Sequence, residues 1–301
     1  MTFAAAPPKS LLPLRNGILS FASNNPPFYN LSQIPDPKDP DSGRANNQGL
    51  EGLTYDPATN SLFALLQSAA INNGGDDKRT NRHTTLLRYE LDRDGMNPVL
   101  AGEWVVPLPQ YLDYTSKKND PRKTAGASEI LSYDDGEHFL VLSRDGGFGR
   151  GLKDTRSVYR HIDVISLRNA TNILGRFDGY ADAFAPGGEL VADIMPAEYC
   201  DGFVDFNVAS ELERFGLVNG GDRNDLGLLN EKWEGLAMVP VHEDDRHSLR
   251  MGGGREHYLF ASSDNDFITQ NGYWNGGRDR FKDASGNDIE SQFLVFKVTF
   301  R

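Results

Sequence analysis

Short apolar runs cut off by turn residues recur along the chain from Leu50 onward, which is the pattern of strands rather than of helices. Residues 52–55, 62–67, 84–91 and 103–106 predict a first group of strands, with Asp56-Pro-Ala-Thr-Asn60 as the hairpin turn between the first two. A second group follows at 129–133, 139–143 and 158–167, its hairpin turn at Asp134-Asp135-Gly136. The third comprises 234–239, a long polar loop over 242–256, then 258–262 and 293–300. Between 188 and 230 the pattern weakens, and 209–215 is the best helical candidate. The first 48 residues carry Pro26-Pro27, Pro35, Pro37 and Pro40 and predict coil, because proline lacks a donor and resists interior strands.

The groups begin alike: Gln48-Gly-Leu-Glu51-Gly-Leu-Thr, Gly126-Ala-Ser-Glu129-Ile-Leu-Ser and Lys232-Trp-Glu234-Gly-Leu-Ala. Each opens a hairpin whose second strand ends polar, at Gln67, at Arg144-Asp145 and at Asp264-Asn-Asp266. Repeated hairpin-based units of this kind predict an all-β propeller. Glu129 follows Glu51 by 78 residues and Glu234 follows Glu129 by 105, so the second gap has room for a less regular blade, four in all. In an antiparallel hairpin the start of one strand lies beside the end of the next. Glu51 is therefore expected near Gln67, Glu129 near Arg144, and Glu234 near Asp264, all at one face. Three carboxylates around a central channel repel one another unless protonated or bound to a cation, so Glu51, Glu129, Glu234 and Asp264 are candidate calcium ligands. Three solvated strand ends are the plainer alternative.

Composition narrows the partners. With 31 Lys+Arg against 43 Asp+Glu the net charge is -12, which opposes binding to a phosphate backbone and excludes nucleic acid as an expected partner. No stretch approaches the ~20 apolar residues that span a bilayer, so no membrane association is expected, and the opening residues do not form a signal-peptide core. Cys200 is the only cysteine, which rules out an internal disulfide and a cysteine-rich zinc site. The expectation is a monomer that takes a small molecule able to carry phosphate.

Several runs carry a family likeness: Asn46-Asn-Gln-Gly-Leu-Glu-Gly-Leu-Thr54, Leu65-Leu-Gln-Ser68, Glu103-Trp-Val-Val-Pro-Leu-Pro109, Tyr159-Arg-His-Ile-Asp-Val164, Pro196-Ala-Glu-Tyr-Cys200, Asn230-Glu-Lys-Trp-Glu-Gly-Leu-Ala237 and Ser263-Asp-Asn-Asp-Phe-Ile-Thr-Gln-Asn-Gly272. Together they resemble fungal phytase-like domain proteins, the group labelled "esterase-like activity of phytase". The resemblance implies a calcium-associated propeller of the six-bladed phytase-like type, made as a secreted precursor. Against that pattern the front of this chain looks truncated. Residues 1–48 then read as the remnant of a preceding blade and 49–301 as the phytase-like propeller domain, extracellular if the full-length precursor has a signal peptide.

Other motifs add less. Lys78-Arg79-Thr-Asn-Arg82-His83 is a basic cluster in an acidic chain, so Arg79, Arg82 and His83 are candidates for gripping a phosphate, with a solvated loop as the alternative. Arg144 suits either an anionic substrate or a salt bridge to Glu129. Gly146-Gly-Phe-Gly-Arg-Gly151 does not complete the dinucleotide spacing, and His242-Glu-Asp-Asp-Arg-His247 sets its second histidine one residue too late for a zinc helix. There is no Gly-x-Ser-x-Gly elbow. The sequons at Asn30 and Asn169 matter only if the chain is secreted.

Three functions compete. The first is a metal-dependent hydrolase of phosphate esters with Glu129, Arg144 and Glu234 as catalytic residues. The second is a calcium-stabilised ligand-binding or scaffold propeller. The third is a cyclase or lyase that uses the channel mouth as a shaped pocket.

Overall fold

Period-two alternation is plain in strand β1 (Leu50–Asp56), where Gly52, Thr54 and Asp56 are buried while Leu53 and Tyr55 face outward. The computed structural model describes residues 6–19, 40–95, 97–133, 135–242 and 255–300. In it β1 opens an antiparallel sheet completed by β2 (Ser61–Leu66), β3 (His83–Glu90) and β4 (Val99–Pro107), in that order. The second sheet runs β5 (Gly126–Ser132), β6 (His138–Arg144), β7 (Arg160–Ser166) and β8 (Glu198–Asp205). The third has β9 (Trp233–Pro240), β10 (Arg255–Ser263) and β11 (Phe293–Phe300). β5 packs against β1 on one side and against β9 on the other, so the leading strands lie innermost and the sheets radiate from them as blades do.

Two cores fill the wedges between blades. Phe63, Leu65, Leu86 and Val106 of the first sheet meet Ile130, Phe139, Val141 and Ile165 of the second, with the Phe63 and Phe139 ring centroids 4.6 Å apart. On the other side Leu140, Leu142 and Ile162 meet Trp233, Leu259, Ala261 and Val298 of the third. The second sheet is thus covered on both faces, which explains why β6 reads as a run of apolar residues with no alternation.

The fold is all-β, as the apolar pattern predicts; among the described residues three sheets have three or four strands and three more are two-stranded, where the repeat predicted four blades. The second gap holds no further blade among them. Beyond β6 and β7 it contains a 3-10 turn (Pro186–Gly188), β8, coil and a one-turn helix α1 (Ala209–Glu213), inside the predicted 209–215. No run of the sequence pointed to β8, because its register on β7 slips between Ile162 and Val164 and Gly202 takes φ +75°. Asp163 anchors the slip by accepting from the Gly202 N–H at 2.8 Å and from the Tyr199 hydroxyl at 2.6 Å. Of residues 1–48, those described form a short 3-10 turn (Lys9–Leu11) and a small ribbon of Leu14–Arg15 with Ile18–Leu19. The Asn30 sequon and residues 243–247 of the His242 stretch lie outside the described residues, as does Asp134 of the second hairpin turn; Asn169 is exposed.

Two features join the first and second blades. At Gly52 an added Cβ would stand 2.9 Å from Cγ2 of Ile130 and 3.1 Å from its backbone nitrogen, so the two inner strands approach closely only because the side chain is absent. At the far end of β1, buried Asp56 accepts from the Thr59 N–H and hydroxyl, both at 2.8 Å, and across the wedge from the Ser132 hydroxyl and the Gly136 N–H. Gly52→Ala is expected to cost about 1–3 kcal/mol through overpacking, although alanine ordinarily suits a strand better. Asp56→Ala, which strips the partner from the buried Ser132 hydroxyl and from three half-buried donors at once, should cost about 3 kcal/mol. Urea unfolding measures both, and a neutral Gly52→Ala would show that the inner strands can separate freely.

Candidate active site

All three inner strands begin with the same irregularity. The pairing of β1 with β2 slips between Leu50 and Gly52, that of β9 with β10 between Trp233 and Gly235, and that of β5 with β6 where Ala127 meets Ser143 and Glu129 meets Leu142. The residues left over in these bulges are Glu51, Glu234 and Ser128. The register therefore corrects the repeat alignment: Ser128, and not Glu129, stands in the place of Glu51 and Glu234, while Glu129 matches Gly52 and Gly235. Alignment by letter matched the glutamates, but a slip of one residue in a strand re-aims the side chain. The polar ends of the second strands do coincide. Gln67 bonds to Gly49, Arg144 faces Gly126, and Asp264 bonds to Lys232.

Arg144 is the hub of the arrangement. It is 8% exposed, and its Nη2 donates to Glu234 Oε1 at 2.7 Å while Nε donates to Ser128 Oγ at 3.2 Å. Glu231 Oε1 lies 3.7 Å from Nη1 and accepts the Gly147 N–H at 2.6 Å. The guanidinium thus ties the second blade to the third, and its partner is Glu234 rather than the predicted Glu129. Glu129 turns to the first blade and accepts from the backbone N–H of Leu53 at 3.2 Å and of Ile130 at 2.9 Å. Burial pushes the Glu129 carboxyl up, and those two donors only partly oppose it. Beside Arg144, Lys232 donates to Asp266 Oδ1 at 2.7 Å; burial works against its charge, but Asp266 and Glu234 hold its pKa above the ordinary value.

The remaining predicted residues lie apart from this hub. Glu51 is exposed, accepts the Gly49 N–H at 3.1 Å and lines a cavity of about 380 Å³ with Arg44, Asn47, Leu11 and Leu66. Asp264 is exposed and borders a cavity of about 30 Å³ with Arg150 and Lys232, room for a water or a small ion. Among the described residues no group of three or more His, Cys, Asp or Glu is placed to hold one metal ion. The four proposed calcium ligands are thus not gathered into one set: Glu234 pairs with Arg144, and Glu129 turns to the backbone N–H groups of Leu53 and Ile130.

The basic cluster is engaged locally. Arg79 sits 3.6 Å from Asp77, Arg82 donates to Glu189 at 3.1 Å, and His83 opens β3 with its pKa lowered chiefly by burial. The glycine-rich stretch packs on the hub. Gly149 has φ +144°, and a Cβ there would lie 2.6 Å from the Glu231 nitrogen. Sequence reasoning missed Ser128, Glu231 and Lys232. The signal for two of them was available, since charged residues flanking the buried Trp233 must point toward the strand end.

Two comparisons with known proteins find relatives of this chain. A family model described as "Phytase-like: Esterase-like activity of phytase" matches residues 18–267. A relative from Arthroderma benhamiae, named "Uncharacterized secreted protein", is 43% identical over 278 residues, covering 90% of this chain and 52% of that protein. The chain thus spans about half the length of that relative. No solved structure matches. With the family model extending over most of its length, from the ribbon before β1 to the loop after β10, the chain belongs to the phytase-like family.

Proposed function

We propose that the protein is a hydrolase of phosphate esters, acting at the end where the three inner strands begin. The observation that carries this reading is Arg144, a nearly buried guanidinium fixed by Ser128 and Glu234 at the inner strand ends in a chain of the phytase-like family. A guanidinium fork suits the oxygens of a phosphate, and a partly dry site strengthens the interaction. In this reading a phosphate displaces Glu234 from Arg144, and the released carboxylate is free to orient water. Glu129, kept protonated to higher pH by burial, supplies a proton to the leaving oxygen.

Calcium enters the proposal only as a counter-ion of the exposed Glu51 and Asp264. The described carboxylates do not converge on one ion, so no chemical step is assigned to it. An extracellular setting is proposed from the name of the relative alone.

A panel of phosphate and carboxylate esters, assayed with calcium and with chelator, tests the reading. Arg144→Gln should lower kcat/KM by about 100-fold or more on phosphate esters, while Glu234→Gln, nearly isosteric, should keep the fold and lower kcat. The pH profile separates the role of Glu129. A protonated Glu129 works below its raised pKa, so activity should fall as pH rises through it, and Glu129→Gln should remove that limb. A wild type that binds phosphorylated ligands but hydrolyses none would leave a binding module in place of the hydrolase.

A further inference from the structure

A guanidinium carries five N–H donors, and among the described residues Arg144 spends only Nε, on Ser128, and Nη2, on Glu234. Nη1 makes no hydrogen bond among them. What faces it is Glu231, whose Oε1 stands 3.7 Å away, too far for a hydrogen bond but close enough for charge attraction. The same oxygen accepts the Gly147 N–H at 2.6 Å. A guanidinium edge and a backbone N–H thus converge on one oxyanion, and the chain itself supplies that oxyanion.

The backbone around Glu231 is pinned. A Cβ on Gly149 would stand 2.6 Å from the Glu231 nitrogen and 2.8 Å from its Cα, so the glycine-rich loop lies directly against it. On one side the Asn230 carbonyl accepts from the indole of the fully buried Trp233 at 3.0 Å, and on the other the Lys232 carbonyl accepts the Asp264 N–H at 2.7 Å. The Glu231 side chain is different, because it is 22% exposed and has water to turn into. There is room before the fork as well: a Cβ on Gly146 would find its nearest neighbours, Glu231 Oε1 and Arg144 Nη1, at 3.9 and 4.0 Å.

We infer that Glu231 is an internal stand-in for a ligand: it fills an oxyanion pocket made by Arg144 Nη1 and the Gly147 N–H, and it swings aside when a phosphate group takes its place. The fork then holds phosphate through Nη1 as well as Nη2, the two-point grip that suits a tetrahedral oxyanion, and Gly147 adds a third donor. Glu231 is thereby a self-inhibiting contact that every entering anion must outcompete. The inference rests on the hydrolase reading for the identity of the ligand, but it concerns binding and not turnover.

Calorimetric titration of the intact chain with orthophosphate tests it, using Glu231→Gln, Glu231→Ala and Gly146→Val, with thermal unfolding to verify each fold. Removing a charge-assisted competitor should tighten phosphate binding about tenfold or more in Glu231→Ala. Glu231→Gln, nearly isosteric and uncharged, should move the same way. KM on a phosphate ester should fall alongside, with kcat no lower. Gly146→Val leaves every charge in place but fills the space before Nη1, so it should weaken phosphate binding. Affinity unchanged or weaker in the folded Glu231 variants, or unchanged in Gly146→Val, would overturn the inference, as would a lack of phosphate binding in all four proteins. If the chain hydrolyses no phosphate ester while the Glu231 variants bind phosphate more tightly, the hydrolase reading falls and this one stands. Active Glu231 variants with wild-type Kd and KM would give the reverse.

Discussion

The close approach of the inner strands governs this molecule. β5 must lie within packing distance of both β1 and β9, and only then do the wedges close tightly enough to bury Phe63 against Phe139 and Trp233 beneath the third sheet. Interiors pack at crystal-like density, so a gap of even a methylene along these seams would be felt in both cores. Gly52 meets that requirement at the β1–β5 seam, and the Asp56 carboxylate fixes the same seam at its other end by hydrogen bonds rather than by shape. One blade thus fixes the angle of the next.

The same constraint explains the placement of charge. A bulge at the start of each inner strand breaks the pairing where the strand emerges from the packed region, so Glu51, Ser128 and Glu234 sit at the rim of the seams. Arg144 can then be nearly buried and still find Glu234 across a blade boundary. Arg160, on the neighbouring strand, shows what happens without such a partner. It is fully buried, donates to the Phe148 carbonyl and the Asn219 amide, and burial lowers its pKa to about 10 despite the pull of Asp145.

Much of the fold was legible because strands buried on one face alternate and strands buried on both faces run apolar, and those patterns located ten of the eleven blade strands. β8 was not legible, since its register is set by Asp163 and a left-handed glycine and not by its own apolar residues. The site was half legible. Glu51, Arg144, Glu234 and Asp264 do lie at the same ends of their strands, yet identical letters misled at Glu129, because a bulge shifts register without leaving a mark in the composition. Glu231 was quoted only as part of a motif. Its bond to the Gly147 N–H depends on the 146–151 loop meeting the 230–232 segment, a long-range contact that no local pattern encodes.

The end blades differ from the middle one in a way that follows from geometry. The second sheet is closed between its two neighbours, the first has its outer face covered by Leu11 over Leu66 and Leu87 and by Ile173 and Phe184 over Val105, and the third leaves Tyr258, Phe293 and Val295 outward on β10 and β11. A face of that kind is costly to leave in water. The candidate chemistry does not lie there. It gathers where the seams are closed, around Arg144, where one blade presents a cation and the next a carboxylate in a partly dry space. An active centre built this way is bound to the packing of blade on blade, and a change that loosens the β5–β9 seam would disarm Arg144 without touching it.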